Sequence, residues 1–377
     1  MSDAVLLSPG GDNVQRATRA ADTLIVGTAD GVFILARQEG EWRLAHRALP
    51  GCFVSALTRL EGGALIAGVH QMGLARSEDE GRTWRWINNG LTQFDVWVAK
   101  ALRIGGKERL YAGTMPAHLF VSDDGGAQWR ELPSLRALSS APKWYFPPPP
   151  HLGHVKEIAA HGDMLLVGIE VGALAASRDG GESFVELPVD PDSSECDIHR
   201  VLSHPARPDR MIVATGFGLV ESHDSGKSWR RGASEVEYPD PLVMHPDDPD
   251  LLFVAGAIGI PPQWYKAGRA RGRIARSRDG GRTWQRLLGG LPDGQRAVFG
   301  AMTLEAWDGG YAVYAADTDG QVFESRDGGE TWQIIGETGG VSKGDFHIAL
   351  AKGRARMANI DDVQFRGTAG KRYASAS

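Results

Sequence analysis

Residues 177–184 read Ser177-Arg178-Asp179-Gly180-Gly181-Glu182-Ser183-Phe184, and this pattern recurs along the chain. Each copy has serine first, aspartate third, glycine fifth, threonine, serine or glutamine seventh, and an aromatic residue last. Six copies, which we call the Ser-Asp motifs, follow one another at intervals of 45 to 55 residues; they begin at Ser77, Ser122, Ser177, Ser222, Ser277 and Ser325. Repetition with a period of about 20 to 50 residues is typical of solenoids and propellers.

The chemistry of the motif predicts a hairpin turn between two strands. The aspartate carboxylate can accept hydrogen bonds from turn amides, and glycine adopts a positive φ without steric cost. The closing aromatic residue is expected to begin the next strand and to pack under the turn. Short apolar strands that end in glycine precede the motifs, as at 64–68 and 164–168, and a third strand is predicted at 321–324. Each unit is therefore predicted to be four short antiparallel strands, the content of one propeller blade.

The two ends of the repeat predict the number of blades. Before the first motif, residues 23–28 and 31–34 have the pattern of strands 2 and 3, and residues 40–44 resemble a degenerate motif that keeps Trp42. After the sixth motif, residues 346–351 have the pattern of one isolated strand. We predict an all-β, seven-bladed β-propeller of four-stranded antiparallel blades, with 346–351 pairing into the N-terminal blade to close the ring. A six-bladed ring is the alternative. The predicted divisions are an N-terminal segment 1–21, a single propeller domain 22–352 and a C-terminal tail 353–377.

Composition narrows the class of function. The 377 residues include 41 basic and 47 acidic side chains, a net charge of −6, which argues against binding to a nucleic-acid backbone. The sequence contains no apolar stretch of the length of a membrane span and no recognisable signal peptide, and its two cysteines cannot form a disulfide framework. We therefore expect a cytoplasmic protein with neither a membrane nor a nucleic-acid partner. The composition leaves open whether it forms a homo-oligomer.

The Ser-Asp motifs resemble the Asp-box (BNR) repeat of sialidases, oligoxyloglucan-type glycosidases, the photosystem II stability/assembly factor and sortilin-like receptors. The resemblance covers roughly residues 22–352 and implies a propeller of the sialidase-like superfamily. It implies no particular activity, because these boxes lie in the loops between strands 3 and 4, away from the usual site. The Arg-Ile-Pro segment of sialidases is missing, and their arginine triad and Tyr–Glu pair have no counterparts that can be placed.

Polar residues are expected to converge where the loops from strand 4 to strand 1 and from strand 2 to strand 3 meet the axis. Imidazoles from separate blades can bind Zn, Mn or Fe. The candidate metal ligands are His70, His154, His199 and His347, and the candidate catalytic residues are Lys156, Glu170 and Arg200. Polar residues that merely line a water-filled channel are the alternative interpretation.

Two insertions lengthen connections on the same face and predict the walls of a pocket. One runs from Lys143 to His151 and contains four consecutive prolines; the other runs from Gly259 to Lys266. Loops longer than a hairpin requires often carry function, and aromatic rings beside polar groups are typical of ligand pockets. The predicted pocket residues are Trp144, Tyr145, Phe146, Trp264, Tyr265 and Asp317.

These observations favour a small-molecule enzyme with a polar His/Glu site in the axial pocket, of the hydrolase or lyase class and metal-assisted. Lys156 or Arg200 is expected to hold an anionic group of the substrate. No phosphate-binding loop or nucleotide-binding glycine motif is present, so no nucleotide cofactor is expected. A non-catalytic protein-binding or assembly scaffold is the alternative, and a glycoside hydrolase or sialidase is a third possibility with less support.

Overall fold

Seven sheets arranged around one axis make up the computed structural model, which describes residues 4–189 and 196–342. Each sheet is one blade. Its strands follow one another from the axis outward, and the two strands of each hairpin are antiparallel. The seven-bladed propeller predicted from the repeats is confirmed, and the six-bladed alternative is wrong. In blades 2 to 7, strand 1 starts at the face that we call upper, where the 4–1 and 2–3 loops lie. The Ser-Asp motifs join strands 3 and 4 at the opposite, lower face.

The strands follow the repeat closely. The N-terminal segment contributes β1 (Ala4–Leu7) and β2 (Val14–Arg16), and blade 1 continues with β3 (Thr23–Thr28), β4 (Gly31–Gln38) and β5 (Glu41–Ala48). Blade 2 has β6 (Val54–Arg59), β7 (Leu65–Val69), β8 (Gly73–Ser77) and β9 (Arg85–Trp86). Blade 3 has β10 (Val96–Ile104), β11 (Lys107–Thr114), β12 (Leu119–Ser122) and β13 (Arg130–Glu131). Blade 4 has β14 (Val155–His161), β15 (Met164–Ile169), β16 (Leu174–Ser177) and β17 (Val185–Leu187).

The remaining blades have the same form. Blade 5 has β18 (Ile198–His204), β19 (Arg207–Thr215), β20 (Gly218–Ser222) and β21 (Arg230–Arg231). Blade 6 has β22 (Tyr238–Met244), β23 (Leu252–Ala257), β24 (Arg273–Ser277) and β25 (Gln285–Arg286), and blade 7 has β26 (Phe299–Trp307), β27 (Gly310–Asp317), β28 (Gln321–Ser325) and β29 (Gln333–Glu337). Two 3₁₀ turns (Pro133–Ala137 and Ala141–Lys143) lie between β13 and β14, ahead of most of the first predicted insertion. The helix α1 (Pro261–Ala267) lies in the second predicted insertion, before β24.

Glycines in the second strand of several blades let neighbouring blades pack closely. A Cβ atom on Gly113 in β11 would lie 2.4 Å from Cγ1 of Val155, the first residue of the next blade's inner strand. Gly168 in β15 faces Ile198 in the same way, with 2.5 Å to its Cγ2. Gly113 and Gly168 therefore leave room for a β-branched side chain of the next blade.

Each Ser-Asp motif is a hydrogen-bonded turn, as the third copy illustrates. The Ser177 hydroxyl donates to Asp179 Oδ1 at 2.7 Å and accepts from the Gly181 amide at 2.7 Å. The Asp179 carboxylate in turn accepts from the Ser183 amide at 2.9 Å and from the Ser183 hydroxyl at 2.6 Å. The hydrogen bonds from Ser183, then from Ser177, lower the pKa of Asp179 to about 2. The carboxylate is therefore ionised at neutral pH and holds both sides of the turn.

The N-terminal segment enters the central channel from the lower face and returns to it. β1 pairs with β3 in parallel, so that it covers the inner edge of blade 1, and β2 pairs in parallel with the inner strand β26 of blade 7. Leu6 and Leu7 are fully buried. The strand predicted at 346–351 and the tail predicted at 353–377 lie outside the described residues, so closure of the ring by a C-terminal strand remains a prediction.

The turn between β1 and β2 depends on glycine. The Gly10 amide donates to the Ser55 carbonyl at 2.8 Å, and a Cβ on Gly10 would lie 2.3 Å from the Trp97 carbonyl oxygen. A Cβ on Gly11 would lie 1.9 Å from the Leu57 carbonyl oxygen. The segment can therefore cross the narrow channel only because these two residues lack side chains.

Replacing Asp179 with alanine should lower the free energy of unfolding by about 1–2 kcal/mol, because the turn loses its hydrogen-bond acceptor. Urea denaturation followed by circular dichroism measures the change. The neighbouring exposed residue provides the control, since Arg178→Ala should shift stability by no more than about 0.5 kcal/mol. Equal stability of both variants would contradict a structural role for the carboxylate.

Replacing Gly11 with alanine should destabilise the protein by about 1–3 kcal/mol, because the added methyl group collides with backbone rather than with a movable side chain. Gly62→Ala is the matched control, since a Cβ at Gly62 meets no atom within 4 Å. Thermal unfolding should therefore show a lower midpoint for Gly11→Ala alone. An unchanged midpoint would mean that the N-terminal segment does not occupy the channel in solution.

Candidate functional site

Six ionisable side chains from blades 4, 5 and 6 meet near the axis on the upper side of the N-terminal turn. We call this group the axial cluster; its members are His154, Lys156, Glu170, Asp197, His199 and Asp240. All six are buried, with relative exposures of 8% or less. Of the predicted site residues, His154, Lys156, Glu170 and His199 are thus brought together.

An irregularity near the start of each inner strand helps to bring these side chains to the axis. In β14 the pairing with β15 jumps from Val155 to Glu157, and in β18 the pairing with β19 jumps from Ile198 to Arg200. Lys156 and His199 are the skipped residues. Such a bulge re-aims the side chain of the extra residue, and bulges are common beside functional sites.

Lys156 lies among the carboxylates of the axial cluster. Its Nζ is 2.6 Å from Glu170 Oε2 and 3.6 Å from Asp240 Oδ2. Burial is the largest single effect on the pKa of Lys156 and acts to lower it, but attraction by Glu170, Asp240 and Asp197 outweighs burial and raises the pKa. Burial also acts to raise the pKa of Glu170, yet Lys156 and His154 together hold it well below its usual range. The pair is therefore an ammonium and a carboxylate.

His154 forms the aromatic side of the cluster. Its Nε2 is 3.1 Å from Glu170 Oε2, and its ring contacts Trp97 at a centroid distance of 3.8 Å and Phe146 at 4.8 Å. Burial lowers the pKa of His154 despite the nearby Glu170 carboxylate, so the imidazole is neutral at neutral pH. Phe146, one of the predicted pocket residues, is thus part of the wall of the site.

His199 has a defined tautomer. Its Nδ1 lies 2.6 Å from the Pro239 carbonyl oxygen, and a carbonyl can only accept, so Nδ1 carries a proton. Its Nε2 lies 3.2 Å from Asp197 Oδ1. In the neutral imidazole this contact would place a nitrogen lone pair against a carboxylate. The geometry therefore calls for a second proton on His199 or for a cation shared with Asp197.

Three residues of the cluster have a geometry that suits a metal ion. One ligand atom each from Glu170, Asp197 and His199 lies within 4.8 Å of the other two. A hydrogen bond from the second nitrogen of an imidazole to a carbonyl, as between His199 and Pro239, is the usual support of a metal-binding histidine.

A second charged layer lies between the axial cluster and the N-terminal turn. Arg200 donates to Glu157 Oε2 at 2.6 Å and to the Pro9 carbonyl oxygen, and the Lys100 ammonium is 3.9 Å from Glu157. Burial lowers the pKa of Lys100 and raises the pKa of Asp12. The Asp12 carboxylate accepts a hydrogen bond from the amide of Arg59 in blade 2. Arg200, predicted as catalytic, therefore contacts the N-terminal segment and a carboxylate of the chain.

The predicted ligand His70 belongs to a different group of residues. Its Nδ1 lies 2.6 Å from Asp95 Oδ1, and its ring packs edge-on against Phe53 at 4.6 Å and Trp97 at 4.7 Å. The Trp97 ring contacts both His70 and His154. The fourth predicted ligand, His347, lies outside the described residues.

Trp144, Tyr145 and Trp264, three more of the predicted pocket residues, contact residues outside the axial cluster. Trp144 donates from its indole nitrogen to the Ser140 hydroxyl at 2.8 Å, and the amide of Tyr145 donates to the Val171 carbonyl. Trp264 in α1 is buried against Tyr238 at 5.2 Å, and Tyr238 contacts the His199 ring at 4.6 Å.

Tyr265 and Asp317 have other surroundings. Tyr265 packs at the edge of the small cluster around Trp264, where burial raises its pKa. Asp317 accepts hydrogen bonds from the Gln295 side chain and from the amides of Asp319 and Gln321, so it shapes its own loop. Burial raises the pKa of Asp317 to about 7.

Comparisons with known proteins show a shared fold. The chain is similar to an ancestral GH74 enzyme, with a TM-score of 0.59 and 16% identity over 76% of this chain and 39% of that one. It is also similar to YCF48 bound to D1 peptide, with a TM-score of 0.51 and 18% identity over 75% of this chain and 80% of that one. For YCF48 from Cyanidioschyzon merolae the TM-score is 0.50 at 15% identity, over 78% and 94% of the two chains.

The chain thus spans less than half the length of the GH74 enzyme and most of the length of YCF48. No protein-family model and no curated protein matches the sequence. Among the described residues, no helix has both the length and the apolar character needed to cross a lipid bilayer. The class defined by these findings is a seven-bladed β-propeller, in a fold shared with an enzyme and with a peptide-bound protein.

Replacing Glu157 with glutamine should lower the free energy of unfolding by about 3–5 kcal/mol, because buried Arg200 and Lys100 lose their shared carboxylate. Glu182→Gln breaks an exposed ion pair with Arg130 and should cost no more than about 1 kcal/mol. Guanidinium denaturation of both variants measures the contrast. Similar small losses in both would show that the second layer contributes no more than a surface pair.

Proposed function

We propose that this protein is a metal-assisted hydrolase or lyase acting on a small molecule at the upper mouth of the channel. Glu170, Asp197 and His199 would bind one divalent cation. The contact between His199 Nε2 and Asp197 Oδ1 carries this proposal, because a cation shared by the two atoms removes the opposition of their lone pairs.

The chemistry of the donor set supports a transition metal. One imidazole and two carboxylates suit Zn, Mn or Fe, which accept mixed nitrogen and oxygen ligands. When bound, the metal would polarise a substrate oxygen or activate a water molecule. His154 lies 3.1 Å from Glu170, and burial lowers the pKa of its imidazole, so it is a group beside the ligands that is able to take up a proton.

The cost of burying these groups also argues for a function. Buried ion pairs are weak contributors to stability, because desolvation offsets much of their attraction. Groups with strongly perturbed pKa values concentrate at functional sites for that reason. Lys156 and Arg200 contact carboxylates of the chain, and in this proposal they set the charge of the site rather than hold the substrate.

The alternative of a non-catalytic scaffold has the fold likeness to YCF48 bound to D1 peptide in its favour. The likeness to the GH74 enzyme likewise supports a glycoside hydrolase only through the fold. Neither accounts for the paired His199 and Asp197, and we therefore favour the metal-assisted enzyme.

Untagged protein should contain close to one equivalent of Zn, Mn or Fe by elemental analysis, and Asp197→Asn should lose it. A panel of chromogenic esters, lactones, amides and phosphoesters tests activity, and we expect at least one of them to be cleaved. The rate of cleavage should fall after chelation and recover when the metal is restored. His223→Asn is the control, since His223 is an exposed histidine that contacts a carboxylate on the lower face. Metal-free protein that rebinds none of these ions would contradict the proposal.

A further inference from the structure

The axial cluster holds three carboxylates around one ammonium. Glu170, Asp197 and Asp240 come from three different blades, and Lys156 supplies the positive charge among them, with a side chain that is 1% exposed. Two further cations, Arg200 and Lys100, face Glu157 in the layer below. The cluster therefore contains three carboxylates for one ammonium.

The Lys156 ammonium supplies positive charge at the place where the proposed metal ion would supply it. Its Nζ lies 2.6 Å from Glu170 Oε2, an oxygen of one of the proposed metal ligands. A divalent cation bound to Glu170, Asp197 and His199 would share that carboxylate with Lys156. Two positive centres on one carboxylate repel each other strongly where water is excluded.

We infer that Lys156 is an internal cation that competes with the divalent metal and sets the affinity of the site for it. The inference deepens the proposed function and rests on the same site. Lys156 then controls whether the metal site is occupied. Its ammonium keeps the carboxylates together when no metal is bound, and a metal must displace it from Glu170. Glu170 is then the residue that exchanges one cation for the other.

Lys156→Met removes the charge and keeps an unbranched side chain of similar length. Titration of chelator-treated protein with MnCl₂ and ZnCl₂ by calorimetry should show an affinity at least about tenfold higher than that of the wild type. Lys100→Met is the matched control, because Lys100 is also a buried lysine but contacts Glu157 rather than the cluster. Its affinity should equal that of the wild type.

The outcomes separate this inference from the proposed function. Metal binding by wild type and Lys156→Met with equal affinity would overturn the inference and leave the metal site in place. Binding by Lys156→Met alone would support the inference while showing that the natural protein works without the metal. A folded Lys156→Met that binds neither ion would contradict the inference.

Loss of folding is also informative. If Lys156→Met and Lys156→Gln unfold in chelator, millimolar Mn²⁺ or Zn²⁺ should restore the native circular dichroism spectrum, because the metal then replaces the ammonium. Failure of both ions to restore either variant would contradict the competition.

Discussion

Close contact between neighbouring blades is the constraint on which the rest of the structure depends. Gly113 and Gly168 leave room for β-branched residues of the following blade, so adjacent sheets approach without a gap at the axis. The inner strands then lie near enough for side chains of blades 4, 5 and 6 to touch. A larger residue at these glycines would separate the blades and, with them, the ligand atoms of the site.

The narrow channel buries charged side chains, which then need partners of opposite charge. Lys156, Arg200 and Lys100 each face carboxylates, and both charged layers are almost completely shielded from water. In the lower layer Arg200 donates to Glu157 and to the Pro9 carbonyl. The upper layer retains an excess of acid and a histidine that faces Asp197. This difference between the layers distinguishes a structural ion pair from a site suited to bind a cation.

The repeat could be predicted from the sequence because its determinants are local. Each Ser-Asp motif forms its own hydrogen bonds, so the number of blades follows from counting turns. The convergence of His154, Lys156, Glu170 and His199 also followed from topology.

The partners of these residues depended on contacts that no local pattern encodes. His70 is held by Asp95, two positions before Trp97, and not by the cluster. Asp240 lies between two prolines and has the local pattern of a turn residue, although it occupies the irregular start of β22. The short strand β1, followed by a Pro-Gly-Gly turn, is formed only because the channel surrounds it.

The position of the N-terminal segment has a consequence for the order of assembly. A ribosome makes β1 and β2 before any blade exists, yet β2 pairs with β26, and the Thr303 hydroxyl bonds to the Leu6 carbonyl across 297 residues of sequence. Contacts of such separation form late, because the whole intervening chain must first be ordered. β2 therefore remains without its partner strand until the seventh blade has emerged, and its docking is among the last steps that complete the native ring.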